Sequence, residues 1–387
     1  MKNNYEYIVL GLGGIGSSAL YWLSRAGADV LGLEQFDIGH VFGGSQDHSR
    51  IIRLSYHTPE YVELAKHAYK SWATLEEEAG EKLIVKTGGL DLTYPGALIP
   101  ITNYTDSLDV AGVPYEMLSA QEIMYRWPQF RLTDDISALY QSESGIAPAA
   151  KCMAAHLRMA RVYGATIQDN APVKEIREVG NEIEVVAGGK SYRCRKLVIA
   201  AGAWSNHALA HFGMKLPLTI TQEQVTYYDT PHRAEFMPDR FPIWIWMDEP
   251  CYYGFPVYGE NGPKVAQDAG GETVTPETRS FEPNPANQKR VDDFTKQYIP
   301  NAFGRYIYTK TCLYTMPPDR DFVVSSLPSN SNVSIAIGGG HVFKFTSIVG
   351  RILSELSLHD ETAYNIEPFG LNRPILWEEN PATEFMV

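Results

Sequence analysis

Apolar and polar positions alternate in blocks at the start of the chain. An apolar run at Tyr7–Leu10 predicts a buried strand, and residues 17–26 predict a helix after it, which Gly27 is placed to end in the left-handed conformation. A second apolar strand over residues 29–33 ends at Glu34. This order of strand, helix and strand predicts a βαβ unit.

The segment between the first strand and the helix has the spacing Gly-x-Gly-x-x-Gly, and Glu34 follows about 20 residues later, as in dinucleotide-binding folds. Glycines permit a tight turn and close approach of the backbone, a helix N-terminus binds pyrophosphate, and an acid accepts hydrogen bonds from a ribose diol. The alternative is a tight turn without a ligand. The predicted binding residues are Gly11, Gly13, Gly14, Ile15, Gly16 and Glu34.

Helix signals recur between strand-like segments. Residues 58–80 predict a long helix, because Thr58 suits the N-cap, Pro59 the first turn and Gly80 the C-terminal end. Residues 148–163 predict another helix. Helices that alternate with strands in this way favour an α/β fold.

The pattern returns to strands in the middle of the chain. Residues 172–194 predict a three-stranded meander, and residues 197–202 predict a buried strand that ends in Ala201-Gly202. Small residues at the end of a strand let the backbone approach a ligand at the carboxyl edge of a sheet. The nucleotide-binding domain is therefore predicted to be discontinuous.

Residues 217–315 alternate strand patterns around one helix near 285–298, which predicts a largely antiparallel sheet on the substrate side. The fold class is therefore mixed α/β (α+β): a discontinuous Rossmann-like nucleotide-binding domain joined to a substrate domain. The predicted boundaries are 1–82, 145–215 and 316–387 for the first domain, and 83–144 and 216–315 for the second.

Composition narrows the possible partners. The net charge of the 387 residues is −13 without a basic run, which argues against nucleic acid, and the longest uncharged apolar stretches, such as 241–246, are too short to span a membrane. The first residues lack the pattern of a secretory signal, so we expect a cytoplasmic protein. The four cysteines have no Cys-x-x-Cys spacing, so neither a metal site nor a disulfide framework is expected.

Several separate segments resemble the monomeric sarcosine oxidase group of flavoenzymes, which includes N-methyltryptophan oxidase and pipecolate oxidase. Beyond the Gly11 fingerprint, these segments are residues 49–53, 86–88, 126–128, 201–204, 252–256, 312–315 with Asp319, and 341–345. The resemblance extends over nearly the whole chain. It implies an FAD-binding Rossmann-like domain and a substrate domain whose mixed sheet covers the flavin ring.

The resemblance also implies how FAD is held. Cys312 matches the cysteine that bonds to the 8α-methyl carbon of FAD, although a lone cysteine is otherwise most often a small buried apolar residue. Arg50 matches the cation stacked on one face of the flavin. The remaining implied cofactor residues are Ser45, Val173, Ala201, Gly202, Trp204, Gly340 and Lys344.

Catalytic roles follow from the same resemblance. Lys264 corresponds to the lysine that activates oxygen, although Gly262-Pro263 beside it is also typical of an exposed turn. Arg53 and Lys344 match the pair that binds the substrate carboxylate. Tyr252, Tyr314 and His341 match further active-site positions, and Trp246 is a candidate pocket wall. For Tyr252, Tyr314 and Trp246 a place in the core is the alternative.

Two departures from the family pattern affect the substrate. Asp268 stands where the family usually has a histidine, and the turn before His341 is one residue shorter. The implied reaction is oxidation of a secondary amino acid, N-methylated or cyclic, by hydride transfer to flavin N5, with O2 reoxidising the flavin to give H2O2. The alternatives are an amine dehydrogenase of the same fold with another electron acceptor, and a non-catalytic FAD-binding protein. We expect a monomer or a weak homodimer.

Overall fold

The computed structural model describes residues 2–383, and within this range it contains eight α-helices and 21 strands. The helices are α1 (Gly14–Arg25), α2 (Pro59–Ala79), α3 (Ile101–Val110), α4 (Ala120–Arg126), α5 (Ala149–Val162), α6 (Ser205–Leu209), α7 (Pro285–Tyr298) and α8 (Thr346–His359). The strands are β1 (Tyr7–Leu10), β2 (Val30–Leu33), β3 (Arg50–Ile52), β4 (Val85–Lys86), β5 (Gly89–Thr93), β6 (Glu116–Ser119), β7 (Ser137–Gln141), β8 (Gly145–Ala147), β9 (Thr166–Gln168), β10 (Val173–Val179), β11 (Glu182–Ala187), β12 (Lys190–Cys194), β13 (Lys196–Ile199), β14 (Thr219–Asp229), β15 (Ile243–Trp246), β16 (Tyr252–Phe255), β17 (Lys264–Gln267), β18 (Glu272–Thr273), β19 (Arg305–Met316), β20 (Val323–Leu327) and β21 (Asn330–Ile337).

A six-stranded sheet contains the N-terminal βαβ unit. Its strand order is β20-β21-β13-β1-β2-β9, and every pairing is parallel except β20 with β21. Leu10 at the end of β1 lies opposite Leu33 of β2 and Ile199 of β13. Helix α1 packs against α5 and α8 beside this sheet. The carboxyl ends of the central strands therefore open onto one edge, where open α/β sheets bind ligands.

A nine-stranded sheet forms the other large layer. Its main path is β18-β14-β17-β16-β15-β5-β7-β6, and β19 pairs with β14. Only the β5–β15 pairing is parallel among these described strands, so the sheet is mixed and largely antiparallel. Val291 and Phe294 of α7 join its apolar cluster, which includes Trp244.

Two small sheets complete the structure. Strands β10, β11 and β12 form the predicted antiparallel meander. Strands β3, β8 and β4 form a second three-stranded sheet, in which β8 pairs with both others. None of the helices within residues 2–383 is both long and apolar enough to cross a lipid bilayer.

The predicted mixed α/β class is confirmed. The six-stranded sheet takes its strands from 7–33, 166–168, 196–199 and 323–337, whereas the nine-stranded sheet takes them from 89–141 and 219–316. The division into two domains at the stated boundaries stays a prediction.

Individual element bounds differ from the prediction. Helix α1 starts at Gly14 instead of residue 17, so Gly14 and Gly16 belong to its first turn. The segment around His341 leads into a 3-10 turn at Val342–Phe345, which α8 follows directly. Lys264, beside an expected turn, begins β17 and is buried. By contrast, Thr58 and Gly80 cap α2 as predicted.

Candidate active site

The glycine turn after β1 is shaped by close backbone contacts. Gly11 has a φ of +82°, and a Cβ atom on Gly16 would lie 1.7 Å from the Gly11 carbonyl oxygen. The backbone N–H of Gly14, at the start of α1, donates to Ser45 Oγ at 3.0 Å. Only glycine can occupy position 16, and the turn holds the N-terminus of α1 toward the sheet edge.

Glu34 is fixed at the end of β2 with its carboxylate inside the protein. Its oxygens accept hydrogen bonds from the backbone N–H of Leu12 at 2.8 Å and of Phe36 at 3.2 Å, and His40 lies 3.4 Å away. Burial acts to raise the pKa of Glu34, but the hydrogen bonds from His40 and Leu12 outweigh it and hold that pKa below its usual value. Glu34 is therefore an ionised acceptor.

A cavity of about 360 Å³ runs along this edge of the sheet. Most of the predicted cofactor residues line it: Gly11, Gly13, Gly14, Ile15, Glu34, Ser45, Arg50, Val173, Ala201, Gly202, Trp204 and Gly340. Three predicted cofactor residues are not among the described residues that line it: Gly16, Cys312 and Lys344. Gly16 packs against the Gly11 carbonyl, behind the turn. His40, Phe343 and Thr346 also line this cavity, although none of them was predicted as a site residue.

This cavity has the features that an FAD molecule requires. The N-terminus of α1 can receive the pyrophosphate, and the Glu34 carboxylate can accept hydrogen bonds from a ribose. The absence of space for a Cβ at Gly16 keeps the helix close to the strand, as in the dinucleotide fingerprint. The residues present therefore fit the cofactor.

A second, smaller cavity of about 100 Å³ adjoins the first. The two share Arg50, Tyr314, Gly340 and Phe343 in their walls. Of the predicted substrate and catalytic residues, the smaller cavity brings together Arg50, Arg53, Lys264, Tyr314, His341 and Lys344. A molecule in it would therefore lie next to any group held at the shared wall of the larger cavity.

Lys264 is a buried cation with two acceptors. Its Nζ donates to Asp47 Oδ2 at 3.0 Å and to the carbonyl of Ser49 at 2.8 Å, and it lies 4.1 Å from the centre of the Phe255 ring. Burial lowers the pKa of Lys264 to about 8, although Asp47 opposes this shift. The same carboxylate lies 3.4 Å from Arg50, so one acid partners both cations.

Arg53, which follows β3, and Lys344, which lies in the 3-10 turn before α8, both line the smaller cavity although they are far apart in the sequence. Arg53 donates to Asp91 at 2.9 Å in a buried ion pair. Lys344 Nζ donates to Tyr56 Oη at 2.8 Å and to the carbonyl of His341 at 3.0 Å, and no ion pair of Lys344 occurs among residues 2–383. Burial first, and the positive charge of Arg53 second, hold the pKa of Lys344 well below its usual value.

His341 is a neutral ring in the cavity wall. Burial lowers the pKa of His341 well below its usual range, and the positive charge of Lys344 adds to that effect. Its Nδ1 lies 3.3 Å from the Gly339 carbonyl, whereas its Nε2 has no hydrogen-bond partner among the described residues. The ring packs 4.6 Å from that of Phe322. The His341 ring therefore forms part of the cavity wall, and its Nε2 remains available for a hydrogen bond to a ligand.

Cys312 lies in β19, next to residues that line the larger cavity. Leu313, Tyr314 and Thr315 are in its wall, but Cys312 itself is buried beside it, with Glu223 of β14 directly opposite. Burial raises the pKa of the Cys312 thiol, and the guanidinium of Arg50 opposes this rise.

Tyr252 and Trp246 are placed differently from the prediction. They lie opposite each other in β16 and β15 and pack in the apolar cluster around Phe294, whose ring is stacked 4.3 Å from that of Tyr252. Neighbouring residues on the other face of these strands, Tyr253 and Ile245, line the smaller cavity instead. Successive side chains of a strand point to opposite faces, and both faces here are apolar, so periodicity could not choose between them.

Asp47, which pairs with Lys264 and Arg50, and Asp91, which pairs with Arg53, were not predicted from the sequence. Asp47 lies in the loop before Arg50 and has a φ of 98°, and Asp91 lies within the apolar strand β5. An acid inside an apolar strand is the signal that could have indicated Asp91, because buried carboxylates are paired. No cluster of His, Cys, Asp or Glu suited to a metal ion occurs within residues 2–383.

Comparisons with known proteins agree with this geometry. Residues 6–356 match the family model described as FAD dependent oxidoreductase. The chain is 35% identical to the monomeric sarcosine oxidase of Streptomyces avermitilis, with 97% of this chain and 98% of that protein covered. It is 30% identical to the monomeric sarcosine oxidase of Bacillus sp. (strain NS-129), with 98% and 99% covered.

The fold is also that of a solved structure. The L-proline dehydrogenase of P. horikoshii superposes with a TM-score of 0.86 at 22% identity, over 99% of this chain and 100% of that chain. At this identity the likeness concerns the fold alone. The family match over residues 6–356 is decisive, and the chain belongs to the FAD-dependent oxidoreductases.

Proposed function

We propose that this protein oxidises a small secondary amino acid, N-methylated or cyclic, and uses O2 as the electron acceptor. The observation that carries the proposal is Lys344, a buried amine without a carboxylate partner among the described residues, in a small cavity beside the cofactor cavity. The relatives named sarcosine oxidase support the same substrate class.

The electrostatics of the smaller cavity favour a carboxylate ligand. Lys344 Nζ donates two hydrogen bonds to neutral acceptors, so a third N–H remains for a ligand. A carboxylate beside it would raise the pKa of Lys344 back toward its usual range, because an opposite charge stabilises the ammonium form. Arg53, in the same cavity, adds positive potential while Asp91 holds it.

The cavity walls favour a small substrate. The volume of about 100 Å³ suits an amino acid with a short side chain, and Ile245, Met247 and Phe343 supply apolar contacts. A carboxylate held at Lys344 would orient the neighbouring carbon toward the shared wall of the two cavities.

Bound FAD would supply the hydride acceptor in this chemistry, and dioxygen is the proposed final electron acceptor. An N-methyl amino acid, water and O2 would give the primary amino acid, formaldehyde and H2O2, whereas a cyclic imino acid would give a ring imine and H2O2. Lys264 is proposed to assist oxygen, because a buried ammonium stabilises developing negative charge.

We also propose that FAD is attached through Cys312. The support is the position of Cys312 in β19, immediately before Leu313, Tyr314 and Thr315, which line the cofactor cavity. Burial raises the pKa of the Cys312 thiol, but the guanidinium of Arg50 opposes this rise. Acid-denatured protein should stay yellow, and Cys312→Ser protein should release its flavin, while Cys194→Ser should not. Free flavin in the supernatant of the acid-denatured wild type would refute the covalent linkage but not the binding of FAD.

The reaction is tested with purified protein and a panel of N-methyl and cyclic amino acids. We expect anaerobic bleaching of the flavin absorbance by at least one of them, and H2O2 in air. Bleaching without peroxide would favour the dehydrogenase alternative. No bleaching by any compound would favour a non-catalytic FAD-binding protein.

A further inference from the structure

Asp268 is the carboxylate in the wall of the smaller cavity. Among the described residues that line this cavity, it is the only Asp or Glu, whereas the Arg and Lys residues there are Arg50, Arg53, Lys264 and Lys344. Its side chain is 18% exposed, compared with 4% for its partner Arg320. The Asp268 carboxylate therefore faces the smaller cavity, while the Arg320 side chain that pairs with it is more deeply buried.

The partners of Asp268 hold it at the wall. Its Oδ2 accepts a hydrogen bond from Arg320 Nη2 at 3.0 Å, and its Oδ1 accepts one from Tyr314 Oη at 3.2 Å. Arg320 does not line the cavity, so it balances the charge of Asp268 from behind. A carboxylate has about four acceptor sites, so capacity remains for a ligand.

A free amino acid carries two opposite charges on neighbouring atoms. Lys344 offers the cavity an amine without an ion pair among residues 2–383, whose ammonium form a bound carboxylate would favour, and Asp268 offers it a carboxylate. We propose that Asp268 binds the protonated amine of the substrate, so that the cavity captures its amino acid as the zwitterion. This inference rests on the proposed function for the identity of the ligand, and it makes Asp268 a specificity-determining residue.

The rival role for Asp268 is purely structural. It would then only position Tyr314 and Arg320, and its loss would weaken every ligand equally. Two probes separate these roles. N,N-dimethylglycine carries a positive charge on its nitrogen near neutral pH, whereas (methylthio)acetate has a neutral thioether sulfur at the position of that nitrogen. Both retain the carboxylate for Lys344.

Binding is measured anaerobically on the FAD-loaded protein from the immediate shift of the flavin absorbance. We expect the wild type to bind N,N-dimethylglycine about tenfold more tightly than (methylthio)acetate. Asp268→Asn keeps the size and the acceptor for Tyr314 but removes the charge, so the preference should vanish while the Kd of (methylthio)acetate changes less than about twofold. Asp268→Glu should restore part of the preference.

The matched control is Asp319→Asn. Asp319 forms a similar ion pair with Arg373 at 3.0 Å and is not among the cavity-lining residues. It should keep the wild-type preference. An equal loss for both probes in Asp268→Asn, or no change for either, would overturn the inference. A wild-type preference for N,N-dimethylglycine that Asp268→Asn abolishes, together with no turnover in the amino acid panel, would instead count against the proposed function alone.

Discussion

Lys264 holds its charge inside the protein because Asp47 and the Ser49 carbonyl accept its hydrogen bonds. If this ammonium assists oxygen, Lys264→Met should slow reoxidation of the reduced flavin by air by about tenfold or more, because charge stabilisation is lost. Anaerobic reduction by substrate should change little. Stopped-flow absorbance measures the two half-reactions separately.

The control for this variant is Lys289→Met, which removes an exposed lysine paired with Asp293. Its reoxidation rate should equal that of the wild type. Unchanged reoxidation in Lys264→Met would instead support an electron acceptor other than oxygen.

At the residue scale, motifs formed by residues close together in the sequence were predictable, whereas the ion pairs between distant residues were not. The motif around Gly11 and the position of Glu34 follow from neighbouring residues, and the structure places both in one cavity wall. The acids that hold the cations could not be assigned, because Asp47 lies 217 residues from Lys264 in the sequence. Such a contact depends on how β17 is placed against the loop before β3.

At the scale of elements, the fit of α1 against β1 depends on Gly16. A Cβ there would lie 1.7 Å from the Gly11 carbonyl oxygen, so Gly16→Ala must displace backbone. We expect the variant to lose FAD and about 3 kcal/mol or more of the free energy of unfolding. The ratio of flavin to protein absorbance and urea denaturation measure the two effects.

Gly27→Ala is the matched control for this helix. Gly27 has a left-handed backbone, with a φ of +82°, but no atom lies within 4 Å of its added Cβ. It should lose about 1 kcal/mol of stability and keep its FAD. Wild-type flavin content in Gly16→Ala would contradict the role given to this turn.

Strands β15 and β16 show what sequence periodicity leaves open at this scale. Residues on both faces are apolar or aromatic, so the alternation predicts the strands but not the face that meets the cavity. The structure turns Trp246 and Tyr252 toward α7, and Tyr253 toward the cavity. Helix α2 was easier to predict because its caps, Thr58 and Gly80, are local signals.

At the scale of the whole molecule, the large sheet buries a carboxyl group that should make stability depend on pH. Glu223 of β14 is 2% exposed, and its Oε2 has no hydrogen-bond partner among residues 2–383. Burial raises the pKa of Glu223 from 4.5 to about 7, with the hydroxyl of Thr221 opposing. The folded protein therefore binds this proton more tightly than the unfolded chain.

Because the folded pKa is the higher one, this group lowers stability as pH rises from about 4.5 to about 7. Glu223→Gln cannot ionise, so its stability relative to the wild type should increase between pH 5 and pH 8 by at most about 3 kcal/mol. Urea unfolding at several pH values measures this difference. The exposed Glu367→Gln should show no such trend, and a parallel pH profile for Glu223→Gln would contradict the prediction.

The sequence by itself determined the βαβ unit, the glycine turn, the acid after β2 and the mixed α/β class. These depend on neighbouring residues, whose backbone preferences and apolar periods act over a few positions. Only the tertiary structure decided that Asp47 holds Lys264, that Asp91 holds Arg53 and that Asp268 faces the smaller cavity. Those contacts join residues far apart in the chain, and their formation depends on which strands pair and which face of each strand is turned inward.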